Sequence, residues 1–158
     1  MKKLFVLEEK CNGCMACAVA CQEAHAGSEH YAPIRDVMPA RIFIQSVDDK
    51  AMPLVCQHCE EPRCVTACMS GAMQKDEKTG IVTNEGHRQK CVGCWMCIMS
   101  CPYGVINQMD DDGGRVAVKC DMCVTIGAPA CVGACPNGAV IYEDEQYVEE
   151  ALKGGYRQ

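Results

Sequence analysis

The sequence predicts an α+β fold in which short helices and small β-hairpins surround groups of cysteine side chains. Sixteen cysteines occur in 158 residues, and they form four groups of four with none left over. After three of these groups, a glycine and a short apolar run indicate a helical turn, a glycine stop and a short strand. Residues 73–83 and 105–118 have the length and turn residues of β-hairpins. Aromatic residues make up only 5% of the chain, so an ordinary apolar core would be thin.

The first element is a cysteine-containing loop followed by a helix. The loop spans Cys11–Cys21 and has the spacing C-x2-C-x2-C-x3-C. No glycine follows until Gly27, so the helix is expected to continue past the fourth cysteine. Residues 22–55 then form the longest interval between cysteine groups, with a proline-marked loop before a predicted strand at 41–45. We interpret 22–55 as an insertion that covers a cysteine group or contacts a partner.

Two hairpins are predicted after the second and third cysteine groups. The hairpin at 73–83 is expected to turn at Lys78-Thr79-Gly80, and the hairpin at 105–118 at Asp112-Gly113-Gly114. Glycine favours both turns because it tolerates the positive φ that tight connections need.

The chain ends in a segment, 143–158, that contains one more predicted helix. Residues 144–152 have the apolar spacing of a helix, and Gly154-Gly155 would end it. This helix either packs on its own domain or docks against another subunit.

The cysteine groups alternate between a short and a long loop. The first and third have intervals of two, two and three residues, whereas the second and fourth insert four and seven residues before the third cysteine. This alternation indicates a duplicated two-motif unit. The four groups are Cys11, Cys14, Cys17 and Cys21; Cys56, Cys59, Cys64 and Cys68; Cys91, Cys94, Cys97 and Cys101; and Cys120, Cys123, Cys131 and Cys135.

The spacing favours iron–sulfur clusters over zinc. Four thiolates can hold either, but zinc ribbons bring together two C-x2-C pairs across a long gap. Three cysteines three residues apart, followed by a fourth and by proline as in Cys101-Pro102, form the pattern of a bacterial ferredoxin loop. Four complete groups predict four [4Fe-4S] clusters and leave no cysteine for a catalytic or redox-active thiol.

Composition limits the compartment and the partners. The N-terminal residues 1–9 have too short an apolar run for a secretory signal, and no run approaches the roughly 18 residues that would span a membrane. We therefore expect a cytoplasmic protein without direct membrane insertion. The formal charge of −6 becomes about −14 when four clusters and their thiolates are included. Such a charge disfavours nucleic acid and favours partners with a basic docking face.

Several residues next to the cysteines have two interpretations. His58 could donate a hydrogen bond to a cluster sulfur, although a loop histidine more often faces solvent. Trp95 and Met96 are interpreted as apolar shielding of a cluster. Three lysines that precede a group could raise a cluster potential, but surface lysines at strand ends explain them equally well. These lysines are Lys10, Lys90 and Lys119.

Over residues 4–142, with all sixteen cysteines at matching positions, the chain resembles the four-cluster electron-transfer subunits of dimethyl sulfoxide reductase, formate dehydrogenase and CO dehydrogenase type. It is similar, too, to small subunits of hydrogenases and tungsten aldehyde oxidoreductases. Gln22 and Met69 depart from the family pattern, in which proline often follows the fourth cysteine. The resemblance implies two ferredoxin-like lobes within a single unit, 1–158. Lobe A would comprise about 1–30 plus 115–142, and lobe B about 50–110.

The resemblance also implies that the first group pairs with the fourth and the second with the third. Spacing alone leaves sequential pairing open, because each fourth cysteine could cross to either neighbour. The implied ligand sets are Cys11, Cys14, Cys17 and Cys135; Cys120, Cys123, Cys131 and Cys21; Cys56, Cys59, Cys64 and Cys101; and Cys91, Cys94, Cys97 and Cys68.

The function that the resemblance implies is electron transfer without catalysis. No phosphate-binding loop, Ser/His/Asp set or carboxylate pair rises above background. The chain would relay electrons between a catalytic redox subunit and a second electron-transfer or flavin subunit, and chains could associate into a filament. The catalytic subunit would be a molybdenum or tungsten aldehyde or formate oxidoreductase, a CO dehydrogenase or a hydrogenase. The alternatives are a free soluble polyferredoxin that serves several enzymes and a zinc-based structural adaptor.

Overall fold

The computed structural model describes residues 2–26, 39–111, 114–144 and 146–148. Its helices are short and its strands pair two by two, which confirms the α+β prediction. In chain order the elements are β1 (Lys2–Val6), a 3₁₀ turn (Glu8–Lys10), α1 (Ala16–His25), β2 (Ile42–Val47), β3 (Lys50–Val55), α2 (Arg63–Thr66), β4 (Gln74–Lys75), β5 (Val82–Thr83), α3 (Met96–Ser100), β6 (Asn107–Asp111), β7 (Gly114–Val118), α4 (Ala130–Gly133) and β8 (Val140–Asp144).

Both predicted hairpins are present. β4 pairs antiparallel with β5, and β6 pairs antiparallel with β7. The first turn is held by the Asp76 carboxylate, which accepts the backbone N–H groups of Lys78 and Thr79 at 2.8 Å each, and Gly80 adopts a φ of 70°. The predicted second turn falls partly on residues 112–113, which lie outside the described part of the chain.

The described part of the 22–55 insertion forms a further hairpin. The predicted strand at 41–45 is confirmed as β2, and it pairs with β3, a strand that the sequence did not predict. Asp48 and Asp49 join the two strands with φ values of 49° and 62°, as a type I′ turn requires at both central residues. Ile42 and Val55 are buried, so this hairpin packs onto the body of the protein rather than standing free. The predicted proline-marked loop falls mostly on residues 27–38, which lie outside the described residues.

The first and last strands pair with each other. β1 runs antiparallel to β8, with Leu4 opposite Tyr142. The sequence did not predict β1, because five residues with charges at one end give a weak strand signal. This pairing brings the segment before the first cysteine group next to the segment after the fourth.

The helices pack in two pairs that match this arrangement. α1 contacts α4, and α2 contacts α3. Among the described residues, buried apolar side chains form two groups, one of which contains Leu4, Ile42 and Val140. Cys56 and Val105 join that same group, so apolar packing crosses the expected boundary between lobes A and B. The division into two lobes stays a prediction.

The predicted helix at 144–152 lies mostly outside the described residues. Asp144 is the last residue of β8, which corrects the predicted start of the helix. Val148 is buried against the chain.

Candidate metal centres

The structure brings twelve of the sixteen cysteines together around three cavities, four cysteines to each. Each cavity draws three cysteines from one group and the fourth from another part of the chain. The first is lined by Cys11, Cys14, Cys17 and Cys135; the second by Cys56, Cys59, Cys64 and Cys101; and the third by Cys68, Cys91, Cys94 and Cys97.

The cysteines of the three cavities form the first, second and third sets, and the remaining four form the fourth set. The fourth set consists of Cys21, Cys120, Cys123 and Cys131, which are all buried, and Cys131 lies near the other three. Burial, and after it the negative charges of Cys21 and Cys123, raise the pKa of Cys131 to about 12. Cys120 and Cys131 interact in the same way. The structure therefore brings Cys21 of the first group next to three cysteines of the fourth.

Thiols of different sets also lie near each other. Cys17 contributes to the raised pKa of Cys131, and Cys56 to that of Cys120, after burial in both cases. Cys64 acts in the same way on Cys97, whose pKa burial raises to about 11. These electrostatic interactions connect the first set to the fourth, the fourth to the second and the second to the third.

The loops acquire their shape from residues with positive φ. In the first group Gly13 has a φ of 72° and Met15 of 65°; in the third Gly93 has 65° and Trp95 has 62°. Such left-handed residues reverse the chain direction and turn consecutive thiols toward one cavity. In the second group the position that corresponds to Gly13 and Gly93 is occupied by His58, with a φ of 44°.

Backbone N–H groups donate hydrogen bonds to many of the sulfurs. The Ala139 N–H lies 3.1 Å from Cys135 Sγ, and the Met73 N–H lies 3.3 Å from Cys68 Sγ. Burial raises the pKa of both thiols, but their backbone hydrogen bonds outweigh it, so each pKa lies below its ordinary value. Such donors stabilise a thiolate, the form that binds metal. Similar bonds reach Cys21, Cys56, Cys91 and Cys120.

The number of cysteines, their grouping around common cavities and the backbone N–H groups that donate to their sulfurs all fit iron–sulfur clusters. Each cavity offers four thiol ligands, and the backbone donors compensate the negative charge that ligated thiolates would bring. Because several thiols are protonated at neutral pH in the metal-free chain, binding iron must displace their protons.

A buried ionic network lies beside the fourth set, and sequence reasoning missed it. His25 Nε2 is 3.1 Å from Asp121 Oδ1, and Arg41 Nη1 is 3.2 Å from Asp121 Oδ2. The hydrogen bond with Asp121 raises the pKa of His25 to about 12. Burial would raise the pKa of Asp121, but His25, the Cys123 N–H and Arg41 together lower it to about 2. No local signal in the sequence marks three residues so far apart.

The network fixes the surroundings of two cysteines. His25 Nδ1 lies 3.9 Å from Cys21 Sγ, and the Cys123 N–H donates to Asp121 Oδ1 at 3.0 Å. The Arg41 backbone N–H donates to Cys21 Sγ at 3.3 Å. The described part of the insertion therefore contributes directly to the surroundings of the fourth set.

Two residues interpreted as surface side chains are buried. His58 is only 5% exposed and Lys119 only 2%, so the solvent-facing interpretation is wrong for both. Burial, and then the charge of Lys119, lower the pKa of His58 to about 3. Both side chains line the second cavity.

The other singled-out residues are more ordinary. Lys90 is exposed and Lys10 is half-buried. Trp95 packs against the apolar group that contains Cys97, as expected for shielding, whereas Met96 is 41% exposed.

Fold and site together define a small iron–sulfur protein. The chain belongs to the 4Fe-4S dicluster domain family, whose sequence profile matches residues 47–145.

Relatives agree with this assignment. The chain is 40% identical over 132 residues to the beta subunit of NADH-dependent phenylglyoxylate dehydrogenase from Aromatoleum evansii, covering 83% of this chain and 28% of that protein. It is 36% identical to an iron–sulfur protein of Rhodospirillum rubrum, covering 95% of this chain and 86% of the relative. It is 31% identical to the electron transport protein HydN of Escherichia coli (strain K12), covering 89% and 87%. The chain is thus an iron–sulfur electron-transfer protein related to subunits of oxidoreductases.

The similarity of this chain to solved structures is low. The active site complex BamBC of benzoyl coenzyme A reductase in complex with benzoyl-CoA superposes with a TM-score of 0.47 at 22% identity, covering 98% of this chain and 89% of that one. This likeness carries no functional argument. Among the described residues, no helix is both long and apolar enough to cross a membrane.

Proposed function

We propose that the chain is the electron-transfer subunit of an oxidoreductase complex and that it holds four [4Fe-4S] clusters. The cysteines of the first, second and third cavities would bind the first, second and third clusters, respectively. The fourth cluster would be bound by Cys21, Cys120, Cys123 and Cys131. The clusters supply one-electron redox chemistry, and the chain positions them and sets their potentials.

The observation that supports this proposal most strongly is the composition of the three cavities. In each one, the fourth cysteine comes from a different group than the first three. Cross-ligation of this kind is a property of two-cluster ferredoxin loops, whereas a zinc ribbon has no need of it.

Proximity between the sets supports a defined order of clusters. Cys17 lies near Cys131, Cys120 near Cys56, and Cys64 near Cys97. The order would therefore be first, fourth, second, third. A chain of this length has a radius of gyration of about 15 Å, so four clusters in that order would cross it in short steps.

The terminal clusters would exchange electrons with partners. Cys14 of the first set and Cys94 of the third are exposed, whereas the cysteines of the fourth set are all buried. Exposed apolar side chains flank both sites, including Met15 beside Cys14 and Val92 beside Cys94. Partly exposed ligands surrounded by apolar surface suit docking and short electron-transfer distances.

One partner would be a catalytic redox subunit, and the other a second electron-transfer or flavin subunit. The beta-subunit relative belongs to an NADH-dependent dehydrogenase, which favours such a complex. The proposed catalytic partners remain enzymes of the molybdenum, tungsten, CO dehydrogenase and hydrogenase types, and the proposed compartment is the cytoplasm.

A free polyferredoxin is the alternative function, and HydN, an electron transport protein of similar length, favours it. Anaerobic co-purification from the native cell separates the two, because only the first predicts a stable stoichiometric partner.

Cross-ligation can be tested with three serine variants. Cys59→Ser marks the spectrum of a second-cluster defect, and Cys94→Ser marks that of a third-cluster defect. If Cys101 ligates the second cluster, we expect Cys101→Ser to reproduce the EPR and Mössbauer changes of Cys59→Ser. A spectrum that matches Cys94→Ser instead would show that the third group keeps its own fourth cysteine.

A further inference from the structure

We propose that His58 donates a hydrogen bond from Nε2–H to the cluster of the second cavity and thereby raises its reduction potential. This inference rests on the proposed second cluster, held by Cys56, Cys59, Cys64 and Cys101. It assigns to His58 a role in tuning the cluster rather than in ligating it.

The protonation of the ring follows from its hydrogen bonding. His58 Nδ1 accepts the backbone N–H of Val82 at 2.9 Å. A nitrogen that accepts a hydrogen bond carries no proton, so the neutral ring must hold its proton on Nε2. Val82 therefore fixes both the tautomer and the orientation of the ring.

The donor on the other side of the ring lacks a protein partner. His58 is 5% exposed, and Nε2 has no hydrogen-bond partner among the described residues. The side chain lines the same cavity as the four cysteines. Buried donors rarely remain unpaired, and sulfides or thiolates of a cluster in this cavity would be the acceptors.

The backbone at this position is unfavourable for a residue with a side chain. His58 has a φ of 44°; the corresponding position is glycine in the first and third groups and Met122, with a φ of 61°, in the fourth. Glycine would adopt this conformation without strain. At His58 the ring is in addition held by the Val82 N–H, which donates to Nδ1.

A buried cation reinforces the effect. Lys119 Nζ donates to the backbone carbonyls of Val82 and Cys120, the latter at 2.9 Å, and Lys119 also lines the second cavity. A reduced cluster is one unit more negative than an oxidised one, so a nearby donor and a nearby positive charge both favour reduction. Val82 therefore hydrogen-bonds both His58 and Lys119, and all three residues line the second cavity.

The test compares two His58 variants with a matched histidine control. Leucine removes the donor, whereas the amide of glutamine retains an N–H at about the reach of Nε2. His87 hydrogen-bonds the Thr83 carbonyl at 3.2 Å and does not line the second cavity, so His87→Leu controls for the loss of an imidazole. Each variant is loaded anaerobically, assayed for iron and sulfide, and titrated by EPR.

In His58→Leu we expect a full complement of clusters and one lowered potential. The expected change is about tenfold in the reduction equilibrium constant, equivalent to about 59 mV for a one-electron couple. His58→Gln should lie closer to wild type, and His87→Leu should leave that potential unchanged. Unaltered potentials in a fully loaded His58→Leu protein would overturn the inference, whereas wild-type protein without clusters would overturn the proposed function.

A second measurement decides the matter if His58→Leu does not load. The double variant His25→Gln/His87→Leu, produced with ¹⁵N-labelled histidine, lacks the imidazole beside the fourth set and the one that shares a cavity with Cys91, and it keeps His58. Pulsed EPR should then detect a weak nitrogen coupling to a reduced cluster. Absence of any histidine coupling would contradict the hydrogen bond.

Discussion

Gly93 shows how strictly a single residue is specified in the third cysteine loop. Its φ is 65°, and a Cβ at this position would overlap the backbone carbonyl oxygen of Arg115 in β7. Gly86 provides a control with a φ of 78° and nothing within 4 Å of its Cβ position. Substituting each glycine by alanine therefore separates the free-energy cost of the left-handed conformation from the cost of the clash with the Arg115 carbonyl.

We expect Gly93→Ala to destabilise the protein by about 2–5 kcal/mol, the sum of left-handed strain and overpacking against backbone. Gly86→Ala should cost only about 1–2 kcal/mol, because it introduces the strain alone. Anaerobic thermal unfolding and iron content measure both. Equal losses in the two variants would show that β7 does not constrain the loop.

Sequence reasoning succeeds at the residue scale where the signal is local. Cysteine spacing predicted the iron–sulfur class, which the family match confirms, while the role of each cysteine as a ligand stays a prediction. Sequence reasoning fails for His58 and Lys119 because their burial depends on Val82, which is 24 and 37 residues away. It fails for His25 and Asp121 for the same reason, since 96 residues separate them.

At the scale of elements, the pairing of β1 with β8 joins the first cysteine group to the fourth. Leu4 in β1 is 3% exposed and packs in one apolar group with Cys17, Cys131 and Val140. The strand therefore stabilises two proposed cluster sites from outside the cysteine loops. Short strands such as β1 and β3 escaped prediction because pairing and burial, rather than local pattern, stabilise them.

Leu4→Ala should lower the free energy of unfolding by about 2–5 kcal/mol, because it leaves a cavity among buried side chains. Val47→Ala, at a site that is 42% exposed in β2, should change it by no more than about 0.5 kcal/mol. Anaerobic thermal unfolding compares the two variants. If Leu4→Ala were as mild as Val47→Ala, β1 would not be needed to close this part of the protein.

At the scale of the whole molecule, the glycine stops and hairpin turns between the cysteine groups predicted the α+β class, and the resemblance supplied the pairing of the groups. Spacing left the pairing open, since first-with-fourth and sequential arrangements use the same local loops. The structure brings Cys135 to the first group and Cys101 to the second, contacts that depend on β1–β8 pairing and on the packing of α2 against α3. Long-range packing of this kind leaves no trace in a single sequence.

The central claim is that sixteen cysteines hold four [4Fe-4S] clusters. Anaerobic metal and acid-labile sulfide analysis of the chain purified from its native cell, combined with native mass spectrometry, tests it most directly. We expect about sixteen iron atoms and about sixteen sulfides per chain. A chain that contains mainly zinc, or clearly fewer than about twelve iron atoms, would contradict the account.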